Sequence, residues 1–135
     1  MQVRPYRESD REALIALWQT VFPDDPPHNA PAAMFDAKLV IDDLIFVAEH
    51  EANIVGACMA GYDGHRGWLY ALAVLDEHRG EGIGASLVEH SLQALKARGC
   101  IKVNLQIRAD NSKVENFYRS LGFETEARIS MGKFI

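Results

Sequence analysis

The stretch that most constrains this chain runs from Leu69 to His90: Leu69-Tyr-Ala-Leu-Ala-Val-Leu-Asp-Glu-His-Arg-Gly-Glu-Gly-Ile-Gly-Ala-Ser-Leu-Val-Glu-His. It opens with an apolar run whose length and bounds fit a buried strand, and it closes with apolar residues at helical spacing. Between the two lies Arg79-Gly80-Glu81-Gly82-Ile83-Gly84. Glycines at alternate positions just ahead of a helix free several backbone N–H groups to converge on one point. The helix N-terminus adds about half a positive charge there. The combination predicts an anion site, and phosphate or pyrophosphate suits its chemistry.

The rest of the chain reads as a frame for this turn. Gln2–Tyr6 is a short first strand. Ser9 and Glu12 have the spacing of a capping box, and Leu14, Leu17, Trp18 and Val21 recur at helical spacing, which predicts a helix over Asp10–Val21. Pro23, Pro26, Pro27 and Pro31 interrupt the chain after that helix, leaving Phe22–Ala30 as a loop that could wall a pocket. The next helix covers Ala32–Val40. Leu44–His50 and Ile54–Tyr62 form a hairpin about a turn at Glu51–Asn53, the second strand apolar on both faces. Asp63–Gly67 is the next turn, and Trp68–Val74 is the strand that feeds the glycines.

Ala85–Arg98 reads as a helix stopped by Gly99. Ile101–Ile107 alternates as a half-covered strand. Ser112 and Glu115 are a second capping-box pair, opening a helix that Gly122 stops. Phe123–Ala127 and Arg128–Lys133 read as two short strands or one bent one. The order is an antiparallel half and then a β-α-β crossover, so the class is α/β (α+β) with a mixed sheet.

A length of 135 residues suits one domain, 1–135. A net charge of −5 argues against a nucleic-acid partner, which needs clustered Lys and Arg, and is compatible with a cationic one. No apolar run reaches the roughly 18 residues that span a bilayer, and Met1–Pro5 has no apolar signal core. The expected setting is therefore cytoplasmic, with no membrane partner. Cys58 and Cys100 lie in or beside strands without CxxC or histidines at metal spacing, so they read as reduced, buried thiols and no metal is expected.

Three readings of the glycine turn compete. A plain connection needs neither three alternating glycines nor a flanking arginine. A dinucleotide fold would accept Gly80-x-Gly82-x-x-Ala85, but Leu75–Arg79 separate the pattern from its strand and no acidic residue ends the next strand. Too little chain remains after Gly84 for a doubly wound sheet. The third reading is a resemblance. Leu72-Ala-Val74, the acidic turn, Arg79-Gly-Glu-Gly-Ile-Gly84 and the helix after it resemble the acetyl-coenzyme A signature of the GNAT superfamily of N-acetyltransferases, R/Q-x-x-G-x-G/A. Asn111, then Tyr118, then Gly122-Phe123 are similar to that family's second hallmark, N-x(6)-Y-x-x-x-G-F. Tyr62–Gly67 further resembles a small bacterial subgroup with YpeA-like members.

The resemblance implies a GNAT fold: a mixed central sheet of six to seven strands, flanked by about four helices and splayed between the fourth and fifth strands. It implies acetyl transfer from acetyl-CoA to a primary amine by direct attack in a ternary complex. Leu72, Ala73 and Val74 would hold the pantetheine arm as an added strand. Arg79, Gly80, Glu81, Gly82, Ile83 and Gly84 would cradle the pyrophosphate, and Asn111 and Tyr118 would also contact the cofactor. A backbone N–H of Ala73 or Val74 would receive the oxyanion. Tyr118 would act as general acid to the thiolate, since a thiol near about 8.5 and a phenol near about 10 leave the proton's return uphill by only about 2 kcal/mol.

Relatives that acetylate protein N-termini often carry Glu where this chain has Gln106, which cannot take a proton. At pH 7 a lysine-type amine costs about 4.6 kcal/mol to neutralise and an α-amine about 1.4 kcal/mol. Tyr70 and Asp63, with Trp68 beside them and His65 and Glu77 behind, are the candidates to orient an acceptor, whether a small molecule or a protein N-terminus. His28, His50, His78 and His90 show no triad or metal spacing. Gln106 keeps a second reading open, a catalytically silent acyl-CoA-binding or regulatory module on the same fold. A homodimer is also left open.

Overall fold

Residues Gln2–Pro5 form strand β1, and a 3-10 turn at Glu8–Asp10 leads into helix α1, Arg11–Val21. The computed structural model describes residues 1–24 and 26–135. The expected box between Ser9 and Glu12 does not form. Asp10 Oδ2 accepts the backbone N–H of Arg7, while both Asp10 oxygens accept from the Arg4 guanidinium at 2.8 and 2.9 Å. A charged, bidentate acceptor makes bonds about twice as strong as neutral ones; the carboxylate is thus tied back to Arg4 and Arg7 and makes no cap bond to α1.

The proline-rich segment carries one 3-10 turn at Pro27–Asn29, and Asp25, within the loop expected over Phe22–Ala30, lies outside the described residues. Helix α2 spans Pro31–Ile41, with Pro31 in the first turn, where a missing N–H costs nothing. Strands β2 (Ile45–His50) and β3 (Asn53–Tyr62) pair antiparallel, and β4 (Gly67–Val74) pairs antiparallel with β3. Helix α3 covers Ile83–Ala97 and returns the chain to β5, Val103–Asn104, which lies parallel to β4. The sheet order is β1-β2-β3-β4-β5.

The apolar pattern explains the layers. On one face Leu14, Leu17 and Trp18 of α1 and Phe35 of α2 pack on Ile45, Val47, Ala57, Met59 and Ala73. On α3, Ile83, Leu87, Val88, Ser91 and Leu95 form one buried stripe. Full burial of side chains such as Leu87 and Leu95 stabilises by about 1.5–3 kcal/mol each, which fixes the helix and the turn ahead of it to the sheet. Gly67 lets β4 start close to its neighbours, since a Cβ there would meet Cys100 Sγ at 2.7 Å. No helix among the described residues is long and apolar enough to cross a membrane.

The sheet has five strands, not six to seven. Residues expected as strands over Phe123–Ala127 and Arg128–Lys133 carry none, although their alternation is real. A strand exists only where a neighbour completes its ladder. Here Ile129 and Met131 stand 92% and 91% exposed, and Ser130 accepts a side-chain bond from Gln106 instead. Likewise only Val103 and Asn104 of the expected Ile101–Ile107 strand are paired.

Beside the expectation of one domain, the chain divides into two compact units, Met1–Leu105 and Gln106–Ile135. The second is built on helix α4, Ser112–Ser120. Its N-cap is Asn111, whose Oδ1 accepts Val114 N–H at 3.2 Å, and the Ser112–Glu115 box is absent. Glu115 instead accepts from Arg119 and Thr125. Tyr118 is buried and packs edge-on against Phe117 and Phe123, at 5.0 and 5.4 Å between ring centroids.

Candidate functional site

The C-terminal half of β4 has an open edge. The β4–β5 ladder consists of Gly67 opposite Val103 and Trp68 opposite Asn104, and it goes no further. On the other side β4 stays paired with β3, where Leu75 N–H bonds Val55 carbonyl at 2.9 Å. Antiparallel pairs alternate between bonded and non-bonded. Counting back from Leu75, Ala73 is bonded to Ala57, and the carbonyl of Leu72 and the backbone groups of Val74 face the unpaired edge. Of the two N–H groups expected to face the chemistry, that of Val74 faces the open side and that of Ala73 faces β3.

This half of β4 also contains a bulge that the sequence does not announce. Ala57 lies opposite Ala73 and Met59 opposite Tyr70, so two steps on β3 face three on β4. Ala71 sits at the irregularity with φ +54°, a conformation that non-glycine residues rarely adopt. Its carbonyl accepts the indole N–H of Trp18 at 3.0 Å. Sequence spacing marks Trp18 only as an apolar position of α1, and alanine carries no signature of a left-handed residue.

Beyond Leu75 the chain makes a 3-10 turn, Asp76–His78, and reaches the glycines. Gly80 and Gly82 both have φ +81°, and a Cβ at either would meet nothing within 4 Å. Glycine is therefore required there by conformation, not by crowding. Gly82 is the N-cap of α3, and no side chain caps that end. The first helical bond is Ser86 N–H to Gly82 carbonyl at 3.0 Å, so the N–H groups before it have no acceptor within the helix. The helix starts at Ile83, two residues before the expected Ala85. Ile83 itself is buried at 3% exposure, so it can offer a ligand only its backbone. Arg79 is paired with Asp76 at 3.1 Å, and Glu81 faces His78 at 3.1 Å.

Tyr70, Trp68 and Asp63 come together on the face of β4 toward α2. Trp68 and Tyr70 are exposed by 36% and 38%. Trp68 Nε1–H donates to Asp63 Oδ2 at 3.3 Å, while Asp63 Oδ1 accepts the N–H groups of His65 and Arg66 at 2.7 Å. The backbone bonds from Arg66 and then His65, with that from Trp68 next, hold the Asp63 carboxyl below its ordinary range. Sequence reasoning missed Lys38 of α2, which is buried beneath this group. Its Nζ donates to Ala60 carbonyl, pairs with Asp42 and lies 5.6 Å from the Tyr70 ring centroid. The i,i+4 spacing to Asp42 is the one sequence signal that could have found it.

His65 stands exposed beside Arg66, its Nδ1 at 3.5 Å from the guanidinium. His50 and His78 are brought together, with ring centroids 5.3 Å apart, at the rim of a groove of about 520 Å³ that Glu77 and Leu17 also line. No group of three potential metal ligands occurs among the described residues. Cys58 is wholly buried and its thiol is pushed up to about 12 by desolvation. Gln106, in the second unit, donates to Ser130 Oγ.

Residues 11–123 match the model of the Acetyltransferase (GNAT) family. An acetyltransferase of Pectobacterium atrosepticum is 43% identical over 136 residues, covering 98% of this chain and 94% of that protein. Among solved structures, the aminoglycoside N-acetyltransferase AAC(6')-Iy in complex with CoA has a TM-score of 0.82 at 18% identity, covering 98% of this chain and 93% of that one. The ribosomal-protein-S18-alanine N-acetyltransferase from Escherichia coli has a TM-score of 0.79 at 21% identity, covering 93% and 79%. Matched by the family's model over residues 11–123 and by a relative 43% identical across 98% of its length, the chain belongs to the GNAT acetyltransferase family.

Proposed function

We propose that the protein transfers an acetyl group from acetyl-CoA to a primary amine by direct attack in a ternary complex. The observation that carries this reading is the continuity of the β4 edge with the turn. The carbonyl of Leu72 and the backbone groups of Val74 face an edge that β5 leaves unpaired, and the same strand leads to the uncapped N-terminus of α3. An amide-bearing arm ending in a pyrophosphate suits both features, since one end offers strand hydrogen bonds and the other unpaired N–H groups and a positive helix end.

In this reading Leu72, Ala73 and Val74 hold the pantetheine arm, and Arg79, Gly80, Glu81, Gly82, Ile83 and Gly84 hold the pyrophosphate. Ala73 contributes mainly by keeping the edge in place, and Val74 N–H donates to the oxygen that gains charge. Asn111 and Tyr118 enter through the second motif. Tyr118 is the proposed general acid to the departing thiolate, and Asn111 caps the helix that carries it. Tyr70, Trp68 and Asp63 would orient the acceptor, two aromatic faces and a carboxylate suiting an ammonium or amine.

The acceptor is a small molecule or a protein N-terminus. The two structural neighbours are named for an aminoglycoside and for a ribosomal-protein alanine, so the fold leaves the acceptor to the pocket. Gln106 cannot accept a proton, which favours an amine of low pKa or deprotonation by water. The same residue supports the second reading, a silent acyl-CoA-binding module. Calorimetry with CoA and a thiol-release assay over an amine panel test both. Binding with turnover of at least one amine is expected. Tight binding without turnover of any amine would support the silent module, and no binding would overturn both readings.

A further inference from the structure

Trp18 is wholly buried in the layer between α1 and the sheet, 6.2 Å from Phe35 between ring centroids. That packing needs only an apolar ring. Its indole N–H does something more specific, donating at 3.0 Å to the carbonyl of Ala71, the residue with φ +54° at the β4 bulge. A bulge takes backbone groups out of the ladder, and a buried carbonyl left so needs a donor. A non-glycine residue in this conformation is strained and persists only when its surroundings hold it.

We propose that Trp18 is a positioning residue for the acetyl thioester, acting through the Ala71 carbonyl. The Ala71 carbonyl and the Leu72 N–H belong to one planar trans peptide, in which they point in opposite directions. Drawing the carbonyl toward α1 therefore turns the Leu72 N–H away from α1 and sets the course of Leu72–Val74 along the open edge. Without the indole bond nothing fixes the Ala71–Leu72 peptide plane, and the left-handed strain at Ala71 favours relaxation of the segment. The ring holds the sheet together, and the N–H fixes the face that β4 presents.

The inference rests on the reading of Leu72–Val74 as the edge that holds the cofactor. It predicts selectivity, since Leu72 lies at the end of that edge farthest from the glycine turn, where the arm reaches the acetyl, the one group that CoA and acetyl-CoA do not share. The test is calorimetric titration of both ligands into Trp18→Phe, which keeps a buried ring and deletes the donor. One lost net hydrogen bond corresponds to a weakening of about tenfold for acetyl-CoA, with CoA changed by less than about twofold. Adding Ala71→Gly, which removes the strain at that position, should restore much of the acetyl-CoA affinity.

Should Trp18→Phe fail to fold, replacing Trp18 by 3-benzothienylalanine keeps the bicyclic shape and still lacks the N–H. Equal weakening of both ligands, or a loss that Ala71→Gly leaves untouched, would reduce Trp18 to core packing. An unchanged ratio in a wild-type background that binds both ligands overturns the Trp18 role alone. A wild-type protein that binds neither overturns the reading of the edge, and this inference with it.

Discussion

The Lys38 ammonium lies over the ring of Tyr70, 5.6 Å from its centroid, while it also bonds Ala60 carbonyl and pairs with Asp42. Lys38 is only 7% exposed, so these partners stand in for water. Lys38→Met keeps the stem and deletes the charge. It leaves Ala60 carbonyl without its donor and Asp42 with the Leu44 N–H as its remaining partner. The expected loss is about 2–4 kcal/mol, read as a lower urea midpoint at unchanged slope. Adding Asp42→Asn should recover part of it, because the unpaired charge is then gone. An additive loss would mean that the two residues act independently.

Gly82→Ala separates conformation from space. Nothing lies within 4 Å of the added Cβ, so the whole effect comes from φ +81°. The strain of about 1–2 kcal/mol would be relieved by moving the turn, weakening CoA roughly 5–30-fold by calorimetry. Gly64→Ala is the matched control. It has φ +90° and equally open space, but it lies in the β3–β4 turn. It should lower thermal stability by a similar amount and leave CoA affinity unchanged. Equal affinity losses in both variants would sink the assignment of the anion to the glycine turn.

The contrast between Gly82 and Ala71 explains what the sequence could disclose. A left-handed glycine announces itself, because glycine is the residue that tolerates that conformation. A left-handed alanine does not, because its strain is sustained by Trp18 from another element. The two capping boxes failed for a related reason. Ser9 and Ser112 have the right spacing, but Asn111, one position earlier, takes the cap of α4, and at α1 the 3-10 turn is tied back to Arg7 through Asp10. Lys38 was hidden because a lysine on a helix is ordinarily solvated, and its burial depends on Ala60 and Tyr70 far along the chain. The segment 123–133 alternates as a strand should, yet pairing depends on a neighbour that alternation cannot specify.

Asp10 gives a pH dependence with a definite sign. The side-chain bond from Arg4 is the largest cause holding its carboxyl below the ordinary value, with the Arg7 N–H adding to it. A depressed folded-state value means that the stabilisation is complete above the unfolded value of about 3.9 and is lost as pH falls through the folded one. Asp10→Asn should therefore cost about 2–3 kcal/mol at neutral pH. This is less than the roughly 3–5 kcal/mol of a fully broken buried pair, because Glu49 still accepts from Arg4 at 3.0 Å. The gap to wild type should be flat from about pH 5 to 8 and narrow below about pH 4. A gap that persists unchanged at about pH 2 would show that the carboxylate's charge is not what stabilises this corner.

Tyr118 carries the sharpest prediction for the chemistry. Its ring is held by Phe117 and Phe123, and both contacts survive removal of the hydroxyl. Tyr118→Phe should therefore change stability by less than about 1.5 kcal/mol, the scale of one net hydrogen bond. If the phenol returns a proton to the departing thiolate, turnover should fall by about 10²–10⁴-fold, the range for loss of a general acid. Acetyl-CoA affinity should change far less, because the proton moves only as the thiolate leaves. Acyl donors with a more acidic thiol need that proton less, so the defect should shrink with them. A defect of the same size for every leaving group would remove the acid role and leave Tyr118 as the aromatic centre of the second unit.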